Sequence, residues 1–149
     1  MPPLNYLMLD GVGDPNSAQQ YAEALEALYA LSYALKFACK RRLGVDYVVS
    51  PLEGLWWTPD MALFSTADKA AWNWTMMIAQ PAPVTAELVA ATLDEVRRKK
   101  ALPALAQVRY ETLNEGLCVQ IMHIGPYAAE APTIARMHAH IAALGYVPA

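Results

Sequence analysis

Apolar and polar positions alternate along the chain in patterns that predict a mixed set of strands and helices. Tyr6 to Asp10 is a short apolar run that reads as a strand. From Ser17 onward the spacing changes: Ala22, Leu25, Leu28, Tyr29, Leu35 and Ala38 recur with a helical period, so a long helix is expected to reach about Lys40 and end at Gly44. Ser17, with Gln20 three residues later, is a capping-box start. Val45 to Pro51 is β-branched and aromatic and predicts a strand, which Leu55-Trp56-Trp57 continues after a Pro/Gly interruption. Trp72 to Gln80 predicts another strand, stopped by Pro81 and Pro83, and Thr85 to Lys100 has the period of a second helix. Gln107–Thr112 and Leu117–Ile124 flank Leu113-Asn114-Glu115-Gly116, a hairpin signal. Pro132 to Leu144 completes the pattern as a third helix with Gly145 as its stop.

Part of the first half recurs in the second. A shift of 112 positions lays Leu7, Leu9, Val12 and Gly13 on Val119, Ile121, Ile124 and Gly125, and both copies lead through a proline-containing turn into a helix. A period this long predicts two similar strand–helix–strand–strand halves, not a solenoid. The first of these turns, "YLMLDGVGDPNSAQQYAEAL", follows the order in which a dinucleotide-binding fold opens, strand then glycine turn then helix. The third glycine of that fingerprint is replaced by Asn16, the partner turn has one glycine and a bulky Tyr127, and no acidic residue closes a second parallel strand about 20 residues on. Gly11 and Gly13 are better read as permitting a sharp strand-to-helix turn.

Composition narrows the functional classes. With 149 residues and 56% hydrophobic content the chain can form one domain, residues 1–149, with a substantial core. A net charge of −3 disfavours direct nucleic-acid binding, and the single dense basic run, Arg97-Arg98-Lys99-Lys100, lies at a helix end where it complements the dipole. No apolar run reaches a membrane span of about 20 residues, so a soluble, cytoplasmic protein is expected. Cys39 and Cys118 lack a metal or redox spacing and read as two buried thiols; His123, His138 and His140 form no metal motif, and no cofactor is implied.

The chemistry concentrates in the middle. Tyr47, Trp56, Trp57, Phe64, Trp72, Trp74, Met76 and Met77 fall close together, and all four tryptophans lie between positions 56 and 74. In a strand Trp72, Trp74 and Met76 share one side while Asn73, Thr75 and Met77 share the other. Such a set builds either a closed core or a partly open aromatic cleft, and the cleft is favoured because four indoles exceed the needs of packing. Tyr47, Trp56, Trp57, Trp74, Met76 and Met77 would then hold a small, flat, hydrophobic or cationic ligand. Glu53, framed by apolar residues, is the leading carboxylate for pairing with a cation or for acid–base work; Glu111 and Glu115 are read as solvated beside the hairpin turn. His123 reads equally as a ligand-facing donor or a satisfied core histidine, and Tyr127 as a hydroxyl directed between the halves or as turn packing. Neither a nucleophile elbow, a phosphate-binding loop nor a zinc-protease helix is present.

Together the segments "LMLDGVGDPN", "YALSYALKF", "DYVVSPLEGLWW", "WNWTMMIAQP", "KKALPALAQVRYETLNEGLCVQIMHIGPY" and "PTIARMHAHIAALGY" make the chain similar to the GyrI-like small-molecule-binding family, in particular to its stand-alone members. The resemblance implies an α+β fold of two pseudo-twofold-related βαββ halves with a ligand cleft between them. It also implies one of several activities: effector binding in multidrug-sensing regulators, protection of DNA gyrase, or hydrolysis of cyclopropane-bearing DNA-alkylating toxins, in which a carboxylate and a tyrosine direct water onto the strained ring. Family members continue past the Gly-Tyr that closes the third helix into a further strand with a cleft-facing glutamate. Here the sequence stops at Gly145-Tyr146-Val147-Pro148-Ala149; either that segment is absent from the protein or it lies beyond Ala149, and with no match for its glutamate no catalytic glutamate is carried over. Two readings follow: a binder, and hydrolase, of flat hydrophobic or cationic molecules using Glu53, His123 and Tyr127, or a non-catalytic module that sequesters ligands or acts on a protein such as gyrase. A homodimer is compatible with either.

Overall fold

A computed structural model describes residues 1–60 and 68–148; Phe64 of the aromatic cluster lies outside the described residues. Backbone packing divides the chain into two compact units, Pro3–Asn114 and a smaller one made of Met1–Pro2 with Glu115–Ala149.

The larger unit is α+β. Strand β1 (Leu4–Val12), helix α1 (Gln19–Leu43), strands β2 (Leu52–Trp57) and β3 (Asn73–Gln80), helix α2 (Ala86–Lys99) and strand β4 (Arg109–Leu113) follow in order. The first four elements are the expected βαββ half. The strands form one antiparallel sheet in the order β2-β3-β1-β4. Alternation along these strands sorts side chains onto two faces. On the helix-covered face Leu7, Leu9, Trp74, Met76 and Ile78 meet Ala24, Ala27, Leu28, Leu31 and Leu35 of α1, with Val89 and Val96 of α2, in the main core. The apolar period of α1 accounts for this contact.

Helix ends follow local chemistry only in part. Gly44 takes a left-handed conformation (φ 66°) and its N–H bonds to Cys39 O, as expected of a C-terminal glycine. Thr85 caps α2 by accepting from the Leu88 N–H at 3.2 Å. The Ser17–Gln20 capping box does not form: α1 begins at Gln19 with Ala18 as its cap residue, and Gln20 accepts from the Val12 N–H instead. Val45–Pro51, expected as a strand, is irregular. Lys36 pairs with Asp46 and with the carbonyl oxygen of Tyr47, so this segment is tied to α1 by side chains and has no strand ladder.

The smaller unit holds helix α3 (Ala131–Ala143), preceded by a single turn at Tyr127–Ala129. None of its described residues is buried. Leu117–Ile124, expected as the second strand of a hairpin with β4, forms no strand. Leu117, Met122 and Ile124 are exposed, so no buried face selects a register for the segment. The repeat is nevertheless legible locally, because Gly13 (φ 114°) and Gly125 (φ 138°) occupy equivalent places with left-sided backbone before a helix. Of the two thiols expected to be buried, Cys39 is and Cys118 is exposed.

Candidate functional site

The second face of the sheet carries the strands' charged side chains Glu53, Asp10, Arg109 and Glu111. Register places Glu53 opposite Met77, Met77 opposite Met8, and Met8 opposite Arg109, one row across all four strands. The next rows are Leu55, Thr75 and Asp10, then Trp57, Asn73 and Val12. On the other side of the first row lie Ala79, Tyr6 and Glu111. Tyr6, Met8 and Met77 form a small apolar cluster there, with Leu55, Ala79 and Leu113 half-buried around it.

Two polar groups are set into this face. The Tyr6 hydroxyl donates to Glu53 Oε2 at 3.1 Å across the width of β3, and Tyr6 is only 3% exposed. Arg109 binds Asp10 at 2.7 Å and Glu111 at 3.1 Å, and its Nη2 lies 3.7 Å from the Met8 sulfur. Burial alone would lower the Arg109 pKa; the two carboxylates outweigh it and raise it. Thr75 donates its hydroxyl to the other Asp10 oxygen at 2.5 Å. Arg109 therefore neutralises Asp10 and Glu111, while Glu53, the third carboxylate of the face, is held by a neutral phenol and pairs with no cation among the described residues.

The aromatic residues expected to wall a cleft do not share one surface. Trp74 is fully buried on the helix-covered face, edge-on to the Tyr21 ring at 5.4 Å, and Met76 is buried beside it. Neither presents surface to a ligand, because the apolar alternation of β3 points both into the α1 core. Trp72 is also buried, against Trp56 at 5.4 Å. Trp56 is half-buried and packs toward Tyr21, on the core side. Trp57 and Met77 alone of the six ligand candidates belong to the second face; Trp57 is half-buried there and Met77 buried. Tyr47 packs on the main core with the Cys39 thiol beside its hydroxyl, and burial chiefly drives that phenol's pKa upward.

The same packing explains the first glycines of the chain. A Cβ on Gly11 would lie 2.1 Å from the Trp74 ring, so the indole covers bare backbone of β1. Gly54 plays the same part under Met76, at 2.3 Å. Only Gly13 serves the turn through its backbone angle.

His123 and Tyr127 lie in the smaller unit. His123 Nε2 is 3.1 Å from the Pro126 carbonyl and Nδ1 3.0 Å from the Thr133 hydroxyl. Since the carbonyl can only accept, Nε2 carries the proton, and the ring ties the Gly125-Pro126 turn to α3. Tyr127 is 83% exposed. Tyr6, Asp10 and Arg109 were not singled out by sequence reasoning; the alternation in Tyr6-Leu7-Met8-Leu9-Asp10 was the available signal, since it sets Tyr6, Met8 and Asp10 on one side. Among the described residues no cluster of three or more metal-ligating side chains occurs, and no helix is long and apolar enough to cross a membrane.

An antiparallel sheet with helices on one face and paired carboxyl and phenol groups on the other is the frame of a small-molecule-binding α+β domain. The chain belongs to the GyrI-like small molecule binding domain family, which matches it over residues 1–149. It is similar to the crystal structure of an uncharacterized conserved protein from Listeria innocua, with 39% identity and a TM-score of 0.87 over 97% of this chain and 71% of that one. Two crystal structures described as hydrolases from the same organism are also similar. One has 36% identity and a TM-score of 0.81, covering 97% of this chain and 73% of the other. The second has 37% identity and a TM-score of 0.84, covering 97% and 71%. No curated protein matches the sequence.

Proposed function

We propose that this small-molecule-binding domain takes a flat, apolar or cationic ligand against the second sheet face and adds water to it, with cyclopropane-bearing alkylators as the substrate class. The observation that carries the reading is the Tyr6–Glu53 hydrogen bond beside an apolar row of Met77 and Met8. A carboxylate with no cationic partner among the described residues suits both binding and hydrolysis, because it attracts a cation and can accept a proton from water. The hydrolase descriptions of two structures at 36% and 37% identity favour turnover over capture alone.

In this scheme the half-buried Trp57 and Leu55 bear on the planar part of the ligand, and the buried Met8 and Met77 form the apolar support beneath them. Tyr6 is a positioning residue that fixes Glu53 Oε2, leaving Oε1 to take a proton from water. The water oxygen bonds to one carbon of the strained ring, the ring C–C bond breaks, and its electron pair enters the conjugated system, where it is protonated. Substrate and water give a ring-opened alcohol with no other reactant.

The test is to incubate the protein with a cyclopropane-bearing alkylator and follow the product by mass spectrometry. A product heavier by one water, formed over repeated turnovers and abolished by Glu53→Gln, is expected. Quenching of tryptophan fluorescence without product would reduce the reading to a binder that sequesters its ligand. Absence of both with a panel of planar cations would remove it.

A further inference from the structure

The outer face of α1 offers a surface that the proposed hydrolytic site does not use. Tyr29, Tyr33 and Phe37, spaced four residues apart, form an aromatic stripe that is 36%, 49% and 50% exposed. They line an open groove of about 540 Å³ between α1 and α2, with Glu26 at one end of the α1 stripe and Arg41 at the other. Glu95, Val96 and Lys99 of α2, with Lys100 just past its end, form the other side. A row of three large, half-exposed aromatics is more apolar surface than scattered exposure explains.

The stripe is self-complementary. A twofold axis at Tyr33, set across α1, relates position n of one copy to position 66 minus n of the other. Tyr29 then meets Phe37, Tyr33 meets Tyr33, and Glu26 meets the Lys40–Arg41 end. The charges follow the same order, because Glu23 and Glu26 lie in the first half of α1 whereas Lys40, Arg41 and Arg42 fill its last turn. Antiparallel pairing therefore places acid on base at both ends of the contact and opposes the two helix dipoles; parallel pairing would set like charges together. Matching of one patch with itself is what an isologous interface requires. Arg42 stays free to hold Glu95, at 2.6 Å, while Arg41 reaches Glu95 only at 3.9 Å and can turn to a second copy.

We propose that two copies of this chain associate through α1 as an antiparallel homodimer, with Tyr33 on the twofold axis and Glu26 of each copy facing the Lys40–Arg41 end of the other. A small ligand held in the groove by its aromatic floor and charged rim is the competing occupant, and the same experiment separates the two.

Sedimentation equilibrium of the full chain is expected to give twice the 16.3 kDa chain mass. Tyr33→Glu sets two carboxylates against each other at the axis; it is expected to return the single-chain mass and raise the dissociation constant at least about tenfold, with an unchanged far-UV spectrum. Glu26→Arg and Arg41→Glu should each weaken association, and the double exchange should be tighter than either single one, because the Glu26–Arg41 part of the cross-copy contact is then reversed instead of broken. A single-chain mass for the unaltered protein, a dimer that survives Tyr33→Glu, or a double exchange no tighter than the single ones would each overturn the proposal.

Discussion

The two faces of the one sheet are built from neighbouring residues of the same strands and do opposite things. The helix-covered face is closed: Leu7, Leu9, Trp74, Met76 and Ile78 meet α1, and even the Trp74 indole nitrogen, buried without a hydrogen-bond partner among the described residues, is tolerated for the sake of packing. The second face buries Tyr6, Met8 and Met77 and keeps Glu53, Asp10, Arg109 and Glu111 at its margin, each with a defined partner. One residue step along β3, from Trp74 to Thr75 or from Met76 to Met77, moves a side chain from the helix-covered core to the face of the proposed site. Richness in tryptophan and methionine is thus no guide to a ligand surface unless the face is known.

The sharpest break of this comparison uses Trp74. Truncating the largest fully buried side chain, as Trp74→Ala, is expected to cost about 3–5 kcal/mol in denaturant unfolding. If stability were kept while ligand binding vanished, the indole would belong to the site and the division of faces would be wrong. Next is Glu53→Gln, for which turnover of the alkylator should fall by about a hundredfold or more while stability moves by under about 0.5 kcal/mol, since the side chain is exposed. Tyr6→Phe should give a smaller loss of about tenfold and shift the pH–rate profile, as a positioning group would. A destabilised Glu53→Gln protein with full activity would assign that carboxylate to structure.

Another variant tests the close approach of β1 and Trp74. Gly11→Ala puts a methyl 2.1 Å from the ring, so a loss of about 1–3 kcal/mol is expected, with no loss of turnover per folded molecule. The smallest effect lies away from both faces, at Asp46, whose hydrogen bonds to Lys36 and then Lys40 hold its carboxyl down to about 2. A depressed folded-state pKa contributes stability that is present above the unfolded value of 3.8 and is lost as pH falls through about 2. Asp46→Asn should therefore slightly lower stability at neutral pH and flatten the acid limb of the stability curve in that window. A change confined to neutral or alkaline pH would contradict it.

How far the chain could be read in advance depended on whether a signal was local. The long helix α1 and its Gly44 stop, α2 with Thr85, and α3 with Gly145 follow from period and end chemistry, and the structure has all three. Strand β3 was legible from its alternation. Val45–Pro51 and Leu117–Ile124 had equal strand propensity and formed none, because a strand exists only through a neighbour's backbone and composition does not supply one. Glu53 was legible as a carboxylate in apolar company; Tyr6, 47 positions away, was not, since only pairing through β3 brings its hydroxyl to Glu53.

By itself, then, the order of residues determined the periods: which segments coil, where glycine ends them, and that β3 divides its large side chains between two sides. It also determined kinship, because the quoted segments run through nearly the whole chain. Only tertiary structure decided which side of β3 is sealed, that Gly11 exists for an indole and not a phosphate, and which phenol meets Glu53. The physical reason is reach: periodicity and end chemistry act within a few residues, whereas burial and cross-strand hydrogen bonds join residues far apart in sequence once the sheet has set their register.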